Sequence, residues 1–125
     1  MPRSVVLLHT TPDDGSHFDW MIEGPGDHER RLLTWRCVQR PDTPSWDGRG
    51  KIITPHRAAY LDFEGDLGNA RGCVVRKASG EVLALAQDHG MVKVTIRWDD
   101  CVLGYHAEPA AAGGECVFCV RRIVE

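Results

Sequence analysis

The chain lacks any excess of positive charge: 15 Lys and Arg stand against 18 Asp and Glu, for a formal net charge of -3 at pH 7. A domain that coats nucleic acid by bulk electrostatics is expected to be strongly basic, so that class is excluded. An enzyme that meets a nucleic-acid end through a few local arginines is not. The sequence also lacks any run near the ~20 apolar residues that span a bilayer, so no membrane partner is expected. Residues 1–5 have neither the basic segment nor the apolar stretch of a secretory signal, and the expected location is the cytoplasm. Cysteine is sparse and odd in number. Cys37, Cys73, Cys101, Cys116 and Cys119 are scattered, which argues against a disulfide framework and for reduced, partly buried thiols. Cys116-Val-Phe-Cys119 has no second ligand pair to complete a structural zinc site, and on a strand its two thiols point to opposite faces. A long amphipathic helix, an internal repeat and a low-complexity tail are all missing.

What is present reads as one ordinary globular domain over residues 1–125, with 42% hydrophobic and 26% charged residues. Short β-type runs recur about every ten residues between turn signals. They fall at 4–9, 17–23, 32–38, 51–53, 59–63, 72–77, 81–86, 91–98, 101–105 and 115–124. Turn chemistry separates them at Pro12-Asp13-Asp14-Gly15, Gly24-Pro25-Gly26-Asp27, Ser79-Gly80 and Asp99-Asp100. Residues 40–50 hold two prolines, two glycines and a tryptophan and are expected to cross the surface or cover an opening. Residues 108–114 suit a helical turn or a loop, and residues 55–60 are the most plausible short helix. The fold class that follows is mainly β: a small antiparallel β-barrel with little helix.

One segment alternates cleanly. In His17-Phe18-Asp19-Trp20-Met21-Ile22-Glu23, the residues Phe18, Trp20 and Ile22 form an apolar face, and His17, Asp19, Met21 and Glu23 share the other. An i, i+2 His/Asp pair on a strand sets an imidazole nitrogen beside a carboxylate. In an antiparallel hairpin His9 flanks the same turn and faces the same point. Two imidazoles and one carboxylate suit Mn, Fe or Zn better than Ca or Mg, and three ligands leave positions open for water or substrate. The same pattern also describes an exposed strand face carrying a His and an Asp in water.

His56 and Tyr60 stand four apart and share a face on either a helical turn or a strand. They form a candidate proton donor with its support, or a half-buried His beside a core Tyr. Arg36 shares a strand face with Thr34, opposite Trp35 and Cys37. Arg71 precedes Gly72 in a glycine-containing loop. Each is a candidate phosphate-binding residue or a solvated surface arginine. His28, His89 and His106 lack partners and are expected at the surface.

Taken together, these residues resemble the 3′-phosphoesterase domain found at the N-terminus of bacterial multifunctional DNA ligase D proteins, and its small stand-alone relatives. The pattern is a His (His9), a short loop, and His17-Phe18-Asp19 running into Trp20-Met21-Ile22-Glu23. A Thr34-Trp35 strand then ends at Pro41, followed by His56-Arg57-Ala58-Ala59-Tyr60-Leu61-Asp62-Phe63-Glu64-Gly65. The similarity runs from about residue 5 to about residue 80. It implies a β-barrel with a metal, usually manganese, held by His9, His17 and Asp19. It also implies a phosphate near His56 and Tyr60, and hydrolysis at nucleic-acid 3′ ends in repair. Such proteins trim 3′-terminal ribonucleotides and remove 3′-phosphates.

The chain departs from that pattern at two cationic positions. Met21 stands where ligase-fused members carry Arg, and Gln39 stands where they carry a Lys in the strand after the Trp. The loop after Gly65 is also shorter. No ligase or polymerase domain is expected on the chain, so its partner would be a separately encoded ligase, with the protein itself a monomer. A catalytically weakened metal- or nucleic-acid-binding module of the same fold is the alternative. Met21, Gln39 and the negative charge favour it, while the retained His56/Tyr60 pair favours the enzyme.

Overall fold

The computed structural model describes residues 2–13, 15–24 and 31–124. The described residues form nine strands. These are β1 (Arg3–Thr11), β2 (Gly15–Glu23), β3 (Arg31–Cys37), β4 (Arg49–Arg57), β5 (Gly65–Asp66), β6 (Cys73–Asp88), β7 (Met91–Arg97), β8 (Val102–Ala107) and β9 (Glu115–Ile123). Two short 3-10 turns, Ala58–Leu61 and Ala112–Gly114, are the helical content. Every pairing is antiparallel. The order β1-β2-β3-β4-β9-β8-β7-β6 returns to β1, so eight strands close into a ring and β5 pairs with β6 at its side. Closing the sheet removes most free strand edges, the reason a barrel suits so many short strands. None of the described helices is long and apolar enough to cross a membrane.

The interior of the ring is aromatic. Trp20, Trp35, Trp46, Tyr105 and Phe118 are all buried, with Trp20 4.7 Å from Tyr105 and 5.6 Å from Trp46 between ring centroids. Trp46 comes from the irregular segment after β3, which therefore does cover an opening: it inserts the indole into the core. Tyr105 anchors that segment. Its hydroxyl donates to the Pro41 carbonyl at 2.7 Å and accepts from Trp98 Nε1 at 2.8 Å.

A second cluster lies on the outer face of β1, β2, β3 and β6, where Val5, Leu7, Met21, Leu32 and Val74 are capped by Leu61 of the first 3-10 turn. Both faces of β1 and β2 are buried along much of their length as a result. Between Arg3 and Glu23 at one end and the hairpin at the other, the outer face of these strands is apolar.

Several expected boundaries are corrected. Residues 59–63 are not a strand. The Ala59 carbonyl accepts from the N–H groups of Asp62 and Phe63, and this local turn drives Leu61 down onto the second cluster. The expected short helix at 55–60 is displaced accordingly: Pro55 to Arg57 belong to β4, where Pro55 sits at a register irregularity opposite β3 and forfeits no ladder bond. Residues 49 and 50, expected in the covering loop, also belong to β4. The runs at 72–77 and 81–86 are one strand, β6, bent by two irregularities that hand it from β1 to β7. Gly80 does not turn the chain. A Cβ there would lie 2.7 Å from both Ile96 and Trp98, so its glycine answers to packing. The turn at 24–27, Asp14 and His28 fall partly or wholly outside the described residues.

Candidate metal centre

The β1–β2 hairpin sets His9 directly opposite His17 and Leu7 opposite Asp19. Strand alternation then turns all three polar side chains to the outer face, as the sequence pattern requires. The imidazole centroids of His9 and His17 are 4.8 Å apart. Asp19 is only 3% exposed. Its Oδ1 lies 3.2 Å from His17 Nε2 and its Oδ2 lies 3.5 Å from His9 Nδ1. One donor atom from each residue falls within 4.8 Å of the others, the one such grouping of His, Cys, Asp or Glu among the described residues.

Hydrogen bonding decides which nitrogen of His9 faces this point. His9 Nε2 lies 2.9 Å from the Arg71 carbonyl, which can only accept, so Nε2 donates there and Nδ1 is the nitrogen turned toward Asp19. An outer partner that orients a ligating imidazole in this way is the usual companion of a metal site. At His17, burial pushes the pKa below its ordinary value. Asp19 opposes that shift, while Arg36 and His9 reinforce it. His17 Nε2 and Asp19 Oδ1 are both buried, and apart from their own poorly aligned 3.2 Å approach neither has a hydrogen-bond partner. Orphaned buried polar atoms cost about 1–3 kcal/mol each. Two imidazole nitrogens converging on a carboxylate form a nitrogen–oxygen donor set that suits a first-row transition ion.

A groove of about 380 Å³ opens beside the cluster, lined among others by His9, Thr11, Asp13, His56, Tyr60 and Arg71. The fold therefore joins the two motifs separated in sequence. His56 is paired in register with Leu32 at the far end of β4, and its Nδ1 donates to the Thr54 carbonyl at 2.9 Å. Nε2 is left as the working nitrogen. The Tyr60 ring meets His56 edge-on at 5.5 Å. Both are half-buried and line the groove, and Tyr60 also flanks the second cluster.

The two arginines part ways. Arg71 lines the groove, but its guanidinium donates to the carbonyls of Gly68 and Leu67, which fixes the 67–72 turn. Arg36 is exposed on β3 in register with Asp19, on the same outer face, and does not line the groove. Its strand partner on the other side is Lys51. The sequence reading did not single out Lys51, although its alternation with Arg49 around the inward Gly50 was visible. Thr11 and Asp13 at the groove mouth were also missed, since only the closed hairpin brings them there.

Met21 is 1% exposed. It was expected on the polar face, and geometrically it is on that face. The face turns apolar within one pleat because the Ala58–Leu61 turn covers it. Gln39 lies beyond the end of β3, in an exposed bend rather than in the strand. His89 and His106 are exposed beside Asp88 and Glu108. Cys116 is buried and Cys119 exposed, on opposite faces of β9. No protein-family model matches the chain, and no curated protein matches its sequence.

Proposed function

We propose that the protein is a metal-dependent phosphoesterase, a hydrolase acting on nucleic-acid 3′ ends in DNA repair. Its ion would be manganese, or zinc or iron, held by His9, His17 and Asp19. One observation carries this: His9, one of the three converging donors, lines a groove with His56, Tyr60 and Arg71, so the candidate metal ligands border the groove that holds the proton-donating groups. The resemblance to the ligase D phosphoesterase domain supports the same substrate class.

His9, His17 and Asp19 would hold the divalent ion, which would supply positive charge toward phosphoryl oxygens and acidify water for attack. His56, with Nδ1 committed to Thr54, offers Nε2 to the leaving oxygen as a proton or hydrogen-bond donor. Tyr60 restrains that ring. Arg71 and Arg36 add positive charge from the loop and from β3. Few other groups are needed, because phosphoryl transfer depends mainly on positioning and charge stabilisation. The product end would pass to a ligase on a separate chain, and the protein would act as a cytoplasmic monomer.

The test incubates purified protein and Mn with a primer-template bearing a 3′-phosphate or a 3′-terminal ribonucleotide, beside a His17→Ala control. End trimming that needs both His17 and metal is the expected result. No trimming by the wild type would favour a metal- or nucleic-acid-binding module, a role that the apolar burial of Met21 and the engaged guanidinium of Arg71 also suit.

A further inference from the structure

A second hollow of about 250 Å³ adjoins the groove. It is lined by Arg57 at the end of β4, Tyr60 of the 3-10 turn, and Phe63, Asp66, Leu67 and Arg71 that follow. Tyr60, Leu67 and Arg71 line both spaces, so the two make one continuous depression. Their chemistry differs. The groove collects imidazoles and a carboxylate, whereas the hollow collects the Tyr60 and Phe63 rings, the Asp66 carboxylate and two arginines, of which Arg71 also donates to the Gly68 and Leu67 carbonyls.

Phe63 is 37% exposed and meets Tyr60 edge-on, with 6.1 Å between centroids and 87° between planes. Tyr60 in turn meets His56 edge-on. These three rings lead from the groove to the hollow, and the last is held upright by the second. Asp66 Oδ1 accepts the Gly68 N–H at 2.6 Å, which orients the carboxylate and leaves its other oxygen as an acceptor. A flat ring with N–H donors on its edge and a phosphate attached fits all of these walls. The ring stacks on an aromatic, the edge meets a carboxylate, and the anion lies near arginine. The hollow is smaller than the roughly 300–1,000 Å³ of sites that enclose a whole ligand, so it takes one ring system and leaves the rest to the groove.

We infer that this hollow is a nucleobase subsite, in which Phe63 stacks the terminal base and so delivers the attached phosphate to His56 and the candidate metal ligands. The inference rests on the groove being a phosphoester site. Phe63 is then a specificity-determining residue: it selects ends that carry a base over abasic ends and simple phosphate monoesters.

Two 5′-labelled, 3′-phosphorylated oligonucleotides test this, one ending in an adenosine nucleotide and the other in an abasic one. Each is titrated against the full chain in EDTA by fluorescence anisotropy, where metal-dependent turnover is absent. The base-bearing end is expected to bind roughly 5- to 100-fold tighter, the range given by one base–aromatic stack. Phe63→Leu should erase that difference and Phe63→Trp should keep it. Equal affinity of the two ends for the wild type overturns the inference, as does a preference undiminished in Phe63→Leu. The same pair is then followed in Mn for loss of 3′-phosphate. Base-dependent binding without turnover keeps the subsite and removes the phosphoesterase, while turnover with equal affinities removes the subsite alone. Binding of neither end removes both.

Discussion

Replacing Asp19 with Asn should reverse its effect on stability according to whether metal is present. In the protein without metal, a nearly fully buried carboxylate faces Nδ1 of His9 and a desolvated His17. Asp19 Oδ1 and His17 Nε2 have no hydrogen-bond partner beyond their own poorly aligned 3.2 Å approach. An Asn amide of the same shape carries no charge and can donate to one of the imidazole lone pairs. Relief of these two orphaned groups should stabilise the metal-free variant by about 1–3 kcal/mol. For a domain of this size that is a rise of roughly 3–5 °C in Tm per kcal/mol. Metal at a hundredfold excess over its Kd should stabilise the wild type by about 2.7 kcal/mol, and the variant far less. Thermal melts in EDTA and in Mn or Zn therefore cross: the variant leads without metal and the wild type leads with it. A metal-free variant several kcal/mol weaker than the wild type would refute the reasoning, because that is the signature of a broken buried ion pair and hence of a protonated imidazole. Equal metal-induced shifts in both proteins would remove Asp19 from the ligand set.

Two other perturbations follow from the packing. Met21→Arg, which supplies the cation of the ligase-fused proteins, should destabilise by about 3–5 kcal/mol, since it exchanges a buried apolar side chain for a charge beneath Leu61; an unchanged urea midpoint with faster 3′-phosphate release would contradict the second cluster. Tyr105→Phe should cost about 1–3 kcal/mol by leaving the Pro41 carbonyl and Trp98 Nε1 unpaired. Burial also holds the Tyr105 hydroxyl above its ordinary pKa of 10.0, so the unfolded chain ionises it first. That stabilisation is complete below pH 10 and is lost as the pH rises further, by up to about 1.4 kcal/mol per unit. Urea titrations at pH 8 and 11 check the sign, and an alkaline decline undiminished in Tyr105→Phe would count against it.

The hairpin carrying His9, His17 and Asp19 was legible because a strand's period of two fixes each side chain's face before any tertiary contact is known. The barrel was legible for a similar reason, as short apolar runs at even spacing have few other ways to hide their edges. Ser79 and Gly80 misled because a glycine chosen for close packing against Ile96 and Trp98 looks the same in sequence as one chosen for a turn. Residues 59–63 misled because the Ala59 carbonyl closes a 3-10 turn whose stability comes from Leu61 on a distant surface. Met21 shows the limit most clearly. Its alternation was read correctly, but its burial depends on a cover contributed by residues 58–61. The aromatic shelf of Tyr60 and Phe63 was invisible for the same reason: it exists only once that turn has bent the chain.

The ring of strands is not equally closed all round. Between β4 and β9 the paired register is short, Arg49, Gly50 and Lys51 against Glu115, Cys116 and Val117, with one further bond from the Phe118 N–H to the Gly48 carbonyl. A seam that short is where the cylinder should breathe, with amide protons there exchanging through local openings far below the global unfolding energy. The ladders β6–β1–β2–β3 are longer, and they carry the three candidate ligands. His56 sits at the opposite end of β4 from the seam, secured to β3. The wall can therefore part on one side while the chemical face on the other keeps its spacing.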